Sequence, residues 1–160
     1  MKIAIREVHR SELEFLKEML YQAIFVPEGE PPLTKEIIEN PDLAKYIEGF
    51  GRDGDLCLVA KLNGKLVGAA WTRLFTEQNK GYGFVDSQTP ELSMAVLEGY
   101  RNIGIGSKLL TGILNELKNK CYRKASLSVD KSNYALNLYL KFGFKILSST
   151  ATSVTMIKSF

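Results

Sequence analysis

The chain has 160 residues, 45% of them apolar, and 21 basic against 18 acidic side chains give a net charge of +3. That length and apolar content suit one domain over residues 1–160 with a sizeable core. The mild, interspersed charge argues against a nucleic-acid binder, one histidine and two distant cysteines argue against a metal site or disulfide framework, and no apolar run is long enough to span a membrane. Met1–Arg6 lacks the apolar stretch of a signal peptide, so a cytoplasmic protein, monomer or homodimer, is expected.

Ile3, Ile5 and Val8 predict a first strand over about Lys2–Val8. His9 follows it and has no visible catalytic partner. Ser11 and Glu14 have the spacing of a capping box. Leu13, Leu16, Leu20 and Ile24 then give one apolar face to a helix of roughly Glu12–Phe25, closed by Pro27. Thr34 is placed to cap a second helix, interrupted at Pro41, with helical spacing resuming from Leu43 to Phe50. Glu28 and Glu30 are read as solvated loop charges.

Leu56–Leu62 reads as a strand, Asn63-Gly64 as a tight hairpin turn and Lys65–Phe75 as the returning strand. Cys57 and Trp71 are assigned to the core. Thr76–Pro90 is a loop in which Tyr82 and Phe84 either pack down or cover a site. Asp86 and Glu91 are carboxylates that lead into the next strand.

The stretch Glu91–Leu110 carries the chemistry. Leu92–Leu97 is short and mostly apolar, as a buried strand is. Glu98-Gly99-Tyr100 turns, and Arg101-Asn102-Ile103-Gly104-Ile105-Gly106 runs into a helix. Ile105, Leu109, Leu110, Ile113, Leu114 and Leu117 line one face of it. A helix start leaves about four N–H groups without partners and with partial positive charge. Glycine at 104 and 106 lets a bulky anion approach them, and Arg101 adds a fixed charge. This makes a phosphate cradle. It is not a P-loop, because Ile105 stands where lysine is required, nor a dinucleotide fingerprint, because Leu109 stands where the third glycine belongs.

Ala125–Val129 alternates apolar and small polar residues and reads as a strand. Ser132 is the expected cap of a following helix whose face carries Ala135, Leu138, Tyr139 and Phe142. Gly143 marks the helix end. Lys145–Ser149 and Val154–Lys158 close the chain as a hairpin.

Ala95–Gly106 closely resembles the pyrophosphate-binding segment of the GNAT superfamily of acyl-CoA-dependent N-acetyltransferases, Gln/Arg-x-x-Gly-x-Gly/Ala after a core strand. The family often has Pro-Glu at Glu98-Gly99 and glycine at Asn102, and neither departure removes a cradle glycine. Asn133, Ala135 and Leu138-Tyr139-Leu140-Lys141-Phe142-Gly143-Phe144 resemble its second motif, slightly offset. The resemblance implies a mixed α/β fold, a twisted mixed sheet of about six or seven strands flanked by about four helices. It implies acetyl transfer from acetyl-CoA, as co-substrate and without metal, to a primary amine by direct attack in a ternary complex. The expected acceptor is a small molecule. The alternatives are a protein or peptide N-acetyltransferase and a non-catalytic acetyl-CoA sensor.

By the same resemblance, cofactor contacts fall to the backbone of Met94, Ala95 and Val96, the turn residues Arg101, Asn102, Ile103, Gly104, Ile105, Gly106 and Ser107, and Asn133 and Tyr139. Tyr139 is the candidate acid for the leaving thiolate. Glu91 is the candidate base, ahead of Asp86, provided the strand register turns it towards the site.

Overall fold

The computed structural model describes residues 2–160. One seven-stranded sheet forms its centre. In chain order the elements are β1 (Ile3–Glu7), α1 (Phe15–Ala23), α2 (Pro41–Ala44), β2 (Leu56–Leu62), β3 (Lys65–Arg73), β4 (Glu91–Val96), α3 (Ile105–Asn119), β5 (Lys124–Asp130), α4 (Ala135–Lys141), β6 (Lys145–Ser149) and β7 (Ser153–Ser159). The strands lie side by side as β1-β2-β3-β4-β5-β7-β6. All pairs are antiparallel except β4 with β5. The mixed sheet with helices on both faces agrees with the expected architecture.

Each face has its own core. Beneath α3, the side chains of Ile105, Leu109, Leu110, Ile113 and Leu117 pack on Ala70, Leu92, Ala125, Leu127 and Met156. Each is buried, and burial of an aliphatic side chain contributes roughly 1.5–3 kcal/mol. On the opposite face, Leu16, Met19 and Leu20 of α1 join Tyr46, Val59, Ala69, Trp71 and Ala95. Cys57 and Trp71 are core residues there, as expected.

The hairpin at Asn63-Gly64 forms as predicted, with φ of +52° and +84°. Several helix starts differ from the sequence reading. The first turn is a 3-10 segment, Arg10–Glu12, and α1 begins only at Phe15. The cap is made by Glu12, not by a Ser11–Glu14 box. Glu12 accepts the His9 N–H at 2.8 Å and grips Arg6 through both carboxylate oxygens. The two-toothed Arg6 bond, with the His9 N–H beside it, pulls Glu12 well below its usual carboxylate pKa, to about 2.

Pro41 opens a helix rather than interrupting one. It occupies the first turn of α2, and Asn40 caps the turn by accepting the Asp42 N–H at 3.0 Å. Likewise α4 is capped by Asn133, which accepts the Ala135 N–H at 2.9 Å, while Ser132 only donates its own N–H to Asp130.

A buried ion pair fastens the segment after α2 to the sheet. Arg73, 1% exposed, donates to both oxygens of Asp55 and to the Lys45 and Glu48 carbonyls. Its guanidinium therefore fixes where Tyr46 sits.

Candidate active site

The site is built on the junction of β4 and β5. Only one pair of residues is in register between them, Glu91 with Ser126. Beyond that pair the strands have no ladder, and a gap opens along the rest of β4. The β3 ladder decides which backbone groups face it. The Leu97 N–H donates to the Val67 carbonyl at 2.8 Å, and Val96 pairs with Gly68. Alternation along an antiparallel strand then gives the groups of Glu91, Ser93, Ala95 and Leu97 to β3. Both groups of Met94 and the N–H of Val96 point into the gap. Ala95, expected among the cofactor contacts, spends its N–H and C=O on β3.

The Val96 carbonyl accepts Arg101 Nε at 2.9 Å, and the same guanidinium donates to Gln22 on α1 at 3.0 Å. Arg101 thus ties the end of β4 to α1 and keeps its charge at the gap's mouth. Asn102 and Gly104 take left-handed conformations, φ +64° and +91°. These fold the chain so that α3 starts directly over the end of β4. Among the described residues, no N–H from Arg101 to Ser107 donates to a protein acceptor. A Cβ built on Gly104 meets nothing within 4 Å. An open run of amides at the N-terminus of a 15-residue helix fits a phosphate group. Gly106 is less demanding, since its Cβ would make only ordinary contacts with Leu138 and Met94. Ile105 buries its side chain under the cradle, and Ile103 stays 40% exposed.

Tyr139 on α4 lies on the α3 side of the sheet, packed edge-on against Phe144. Its hydroxyl has no hydrogen-bond partner among the described residues. Asn133 sits at the start of the same helix with its Oδ1 committed to the cap, leaving its amide nitrogen for a ligand.

Glu91 faces the other side of the sheet. Its carboxylate is buried, 3% exposed, beneath the 76–90 loop. Tyr46 Oη donates to Oε2 at 2.5 Å, while Oε1 has no partner. The Tyr82 N–H donates to the same Tyr46 hydroxyl at 2.7 Å, and the Tyr82 ring stacks on that of Tyr46. Gly81 and Gly83 make this loop fit. A Cβ on Gly81 would stand 2.3 Å from Glu91 Oε1, and one on Gly83 would stand 2.6 Å from the backbone of Leu127. Asp86, the lesser candidate base, is outside this cluster. It caps the turn at Gln88 and Thr89 and pairs with Lys124.

A family model described as the acetyltransferase (GNAT) family matches residues 15–144. The chain belongs to the GNAT acetyltransferase family. It is an acetyl-CoA-dependent N-acetyltransferase. It is 29% identical over 150 residues to N-alpha-acetyltransferase 50 of Danio rerio, across 92% of this chain and 77% of that one. It is 38% identical over 118 residues to an N-alpha-acetyltransferase of Sulfurisphaera tokodaii, across 67% of this chain and 66% of that one. The fold is that of the PaiA N-acetyltransferase of Thermoplasma acidophilum, solved in complex with coenzyme A, with a TM-score of 0.71 at 20% identity and full coverage of both chains.

Burial sets the electrostatics of this acetyltransferase. Loss of water around Glu91 raises its carboxyl to about 7, against the opposing pull of the Tyr46 hydrogen bond. The Gly83 N–H also lowers it from nearby without making a hydrogen bond. Burial alone pushes the Tyr139 phenol up to about 12. The Cys57 thiol is raised to about 12, first by burial and then by the charges of Glu12 and Glu7, so it stays protonated and is no nucleophile. No helix among the described residues is long and apolar enough to cross a membrane, and none of their His, Cys, Asp and Glu side chains cluster as a metal site.

Tyr46 and Gly81 escaped the sequence reading. Tyr46 lies in a region where helical spacing explained it as core, and nothing local joins it to Glu91, 45 residues away. The Gly81-x-Gly83 spacing in the loop was a usable signal, because glycines off a turn mark close backbone approach.

Proposed function

We propose that this acetyltransferase acetylates the α-amine of a peptide or protein N-terminus, held together with acetyl-CoA for direct attack. The observation that carries this reading is the buried Glu91, raised to about 7 at the end of the β4–β5 gap. An α-amine has a pKa near 8, so moving its proton to such a base costs about 1 pKa unit, or ~1.4 kcal/mol. A lysine-like alkylamine near 10.4 needs about 3 units, roughly 4–5 kcal/mol. Two further points support an open peptide site over the small-molecule pocket expected from sequence. Tyr82 lies flat on Tyr46 and is 63% exposed, where a lid would bury its ring. The relatives of 29–38% identity are named as N-alpha-acetyltransferases.

The residues present fit the co-substrate. The amides of Arg101–Ser107 hold its phosphates, and the free groups of Met94 and Val96 bind its arm across the gap. Acetyl-CoA supplies the activated acetyl group. Glu91 takes the amine proton through a relay, because its oxygens are sealed from bulk water. Tyr139 steadies the thiolate by donating a hydrogen bond. With its pKa near 12 it is a weaker acid than a thiol near 8.5, so it holds the proton rather than losing it.

The test is a thiol-release assay on peptides with free α-amines, the same peptides with blocked α-amines and an internal lysine, and a panel of polyamines, aminoglycosides and amino acids. Turnover confined to the peptides with free α-amines is expected. Turnover confined to the small amines would overturn the reading, and cofactor binding without thiol release from any amine would make the protein a sensor. Tyr139→Phe is expected to lower kcat about 10-fold and leave acetyl-CoA affinity within about 3-fold, in line with one lost hydrogen bond to a charged group. An unchanged kcat would remove Tyr139 from the chemistry.

A further inference from the structure

Two oxygens in the site have no explained partner. Glu91 Oε1 and Ser126 Oγ are both buried and both without a hydrogen bond. They belong to the one registered pair of β4 and β5. Ala125, Leu127 and Val129 face the α3 core, so Ser126 faces the other side, with Glu91. The carboxylate is therefore asymmetric. Oε2 is held by Tyr46, while Oε1 is left without a partner beside Gly81.

Tyr46 is itself held at several points. Trp71 Nε1 donates to its carbonyl at 3.1 Å. Its ring meets Phe75 edge-on at 5.0 Å and stacks on Tyr82, and its hydroxyl accepts the Tyr82 N–H. Arg73 anchors the neighbouring Lys45 carbonyl. A phenol fixed in this way has no other place for its proton than Glu91.

We propose that Tyr46 is a positioning residue for the acetyl-transfer base: its hydroxyl locks Glu91 through Oε2, so that Oε1 alone receives the acceptor's proton. This rests on the reading of Glu91 as the base. The same hydroxyl seats the 76–90 loop through Tyr82, so the base is set only when the loop is down. Other charged and titratable groups do not replace it. Lys45 bonds the Lys80 carbonyl and acts on Glu91 only through its charge, which lowers the carboxyl less than the Tyr46 bond does; Arg73 is consumed by Asp55 and two carbonyls, and Lys124 and Asp86 pair with each other.

The experiment compares wild type, Tyr46→Phe and Glu91→Gln. The Glu91 carboxyl is titrated by 13C NMR with selectively labelled glutamate, assigned by its absence in Glu91→Gln. The pH profile of kcat/KM is recorded with acetyl-CoA and a peptide pool carrying every standard N-terminal residue. In wild type, kcat/KM should rise with pH through about 7, because the base must be ionised. Tyr46→Phe keeps the ring and its stacking but removes a bond that stabilises the carboxylate. Glu91 should then titrate about 1 unit higher, with the acid limb of kcat/KM displaced equally and acetyl-CoA affinity unchanged. A titration and limb that both stay in place in Tyr46→Phe would overturn the inference. If Tyr46→Phe does not fold, 3-fluorotyrosine at position 46 makes the opposite change. Its more acidic phenol should lower both values, and no movement overturns the inference. Glu91→Gln that keeps full activity and its acid limb overturns the base reading, and with it the inference. A pool that is not acetylated overturns the acceptor reading alone, and the NMR titration then decides whether Tyr46 holds Glu91.

Discussion

Gly104→Glu should weaken acetyl-CoA binding by at least ~100-fold while the protein stays folded. Position 104 caps α3 in a left-handed conformation, φ +91°, with open space where a Cβ would project. That space is where phosphate reaches the free amides of Arg101–Ser107. A carboxylate there competes for the same N–H groups and repels the phosphates. Two like charges about 4 Å apart near a protein surface repel by about 4 kcal/mol, and each 1.4 kcal/mol is tenfold in affinity. The fold should lose little. The left-handed conformation costs a side chain about 1–2 kcal/mol, and an acidic group at a helix N-terminus returns about 0.3–1 kcal/mol. Gly104→Ala separates the two effects, since it carries the strain without the charge and should cost less than ~10-fold. Calorimetric titration with acetyl-CoA, and ATP as a control, is the measurement. Unaltered affinity in a folded Gly104→Glu variant would move the cofactor away from the cradle.

Gly81→Ala should cost about 100-fold or more in kcat/KM and leave acetyl-CoA affinity within about 3-fold. Gly81 needs no unusual φ; its constraint is steric. The added Cβ would fall 2.3 Å from Glu91 Oε1 and 2.7 Å from Tyr46 Oη. Neither oxygen sits on a freely swinging side chain, because both side chains are buried and Tyr46 Oη holds Glu91 through its other oxygen, Oε2. Either the carboxylate turns and breaks its bond to Tyr46, or the loop lifts and takes the Tyr82 N–H with it. Both outcomes undo the base. Overpacking of this kind costs roughly 1–3 kcal/mol, a melting shift of about 2–4 °C per kcal/mol at this size. The cradle lies at the opposite end of β4, so cofactor binding should not respond. A Gly81→Ala variant with native activity would show that the carboxylate cluster has no part in turnover.

What the sequence determined by itself was local. The strand–turn–helix from Glu91 to Asn119 was legible because an apolar run, a glycine-bearing turn and a helical stripe lie within one short stretch, each set by its own residues. The Asn63-Gly64 hairpin and the left-handed end at Gly143 were legible for the same reason. The caps at Glu12 and Asn40 were missed where another residue nearby had the same capping spacing. Glu12 is held in its cap by a bond to Arg6 on β1, and Asn40 turned Pro41 from a breaker into a helix start.

Tertiary structure alone decided the rest. Nothing in β4 or β5 states that they share a single registered pair and then part, because a parallel pairing joins segments separated by a whole helix. The β3 register then decides that Met94 and the Val96 N–H, and not Ala95, face the gap so opened. It also leaves Glu91 on the face opposite Tyr139. Glu91 was a base candidate from the sequence, but its setting is made by Tyr46 and Gly81, which pattern and propensity do not link to it. Burial raises its pKa, and burial is a property of what packs over a residue, which local sequence does not specify.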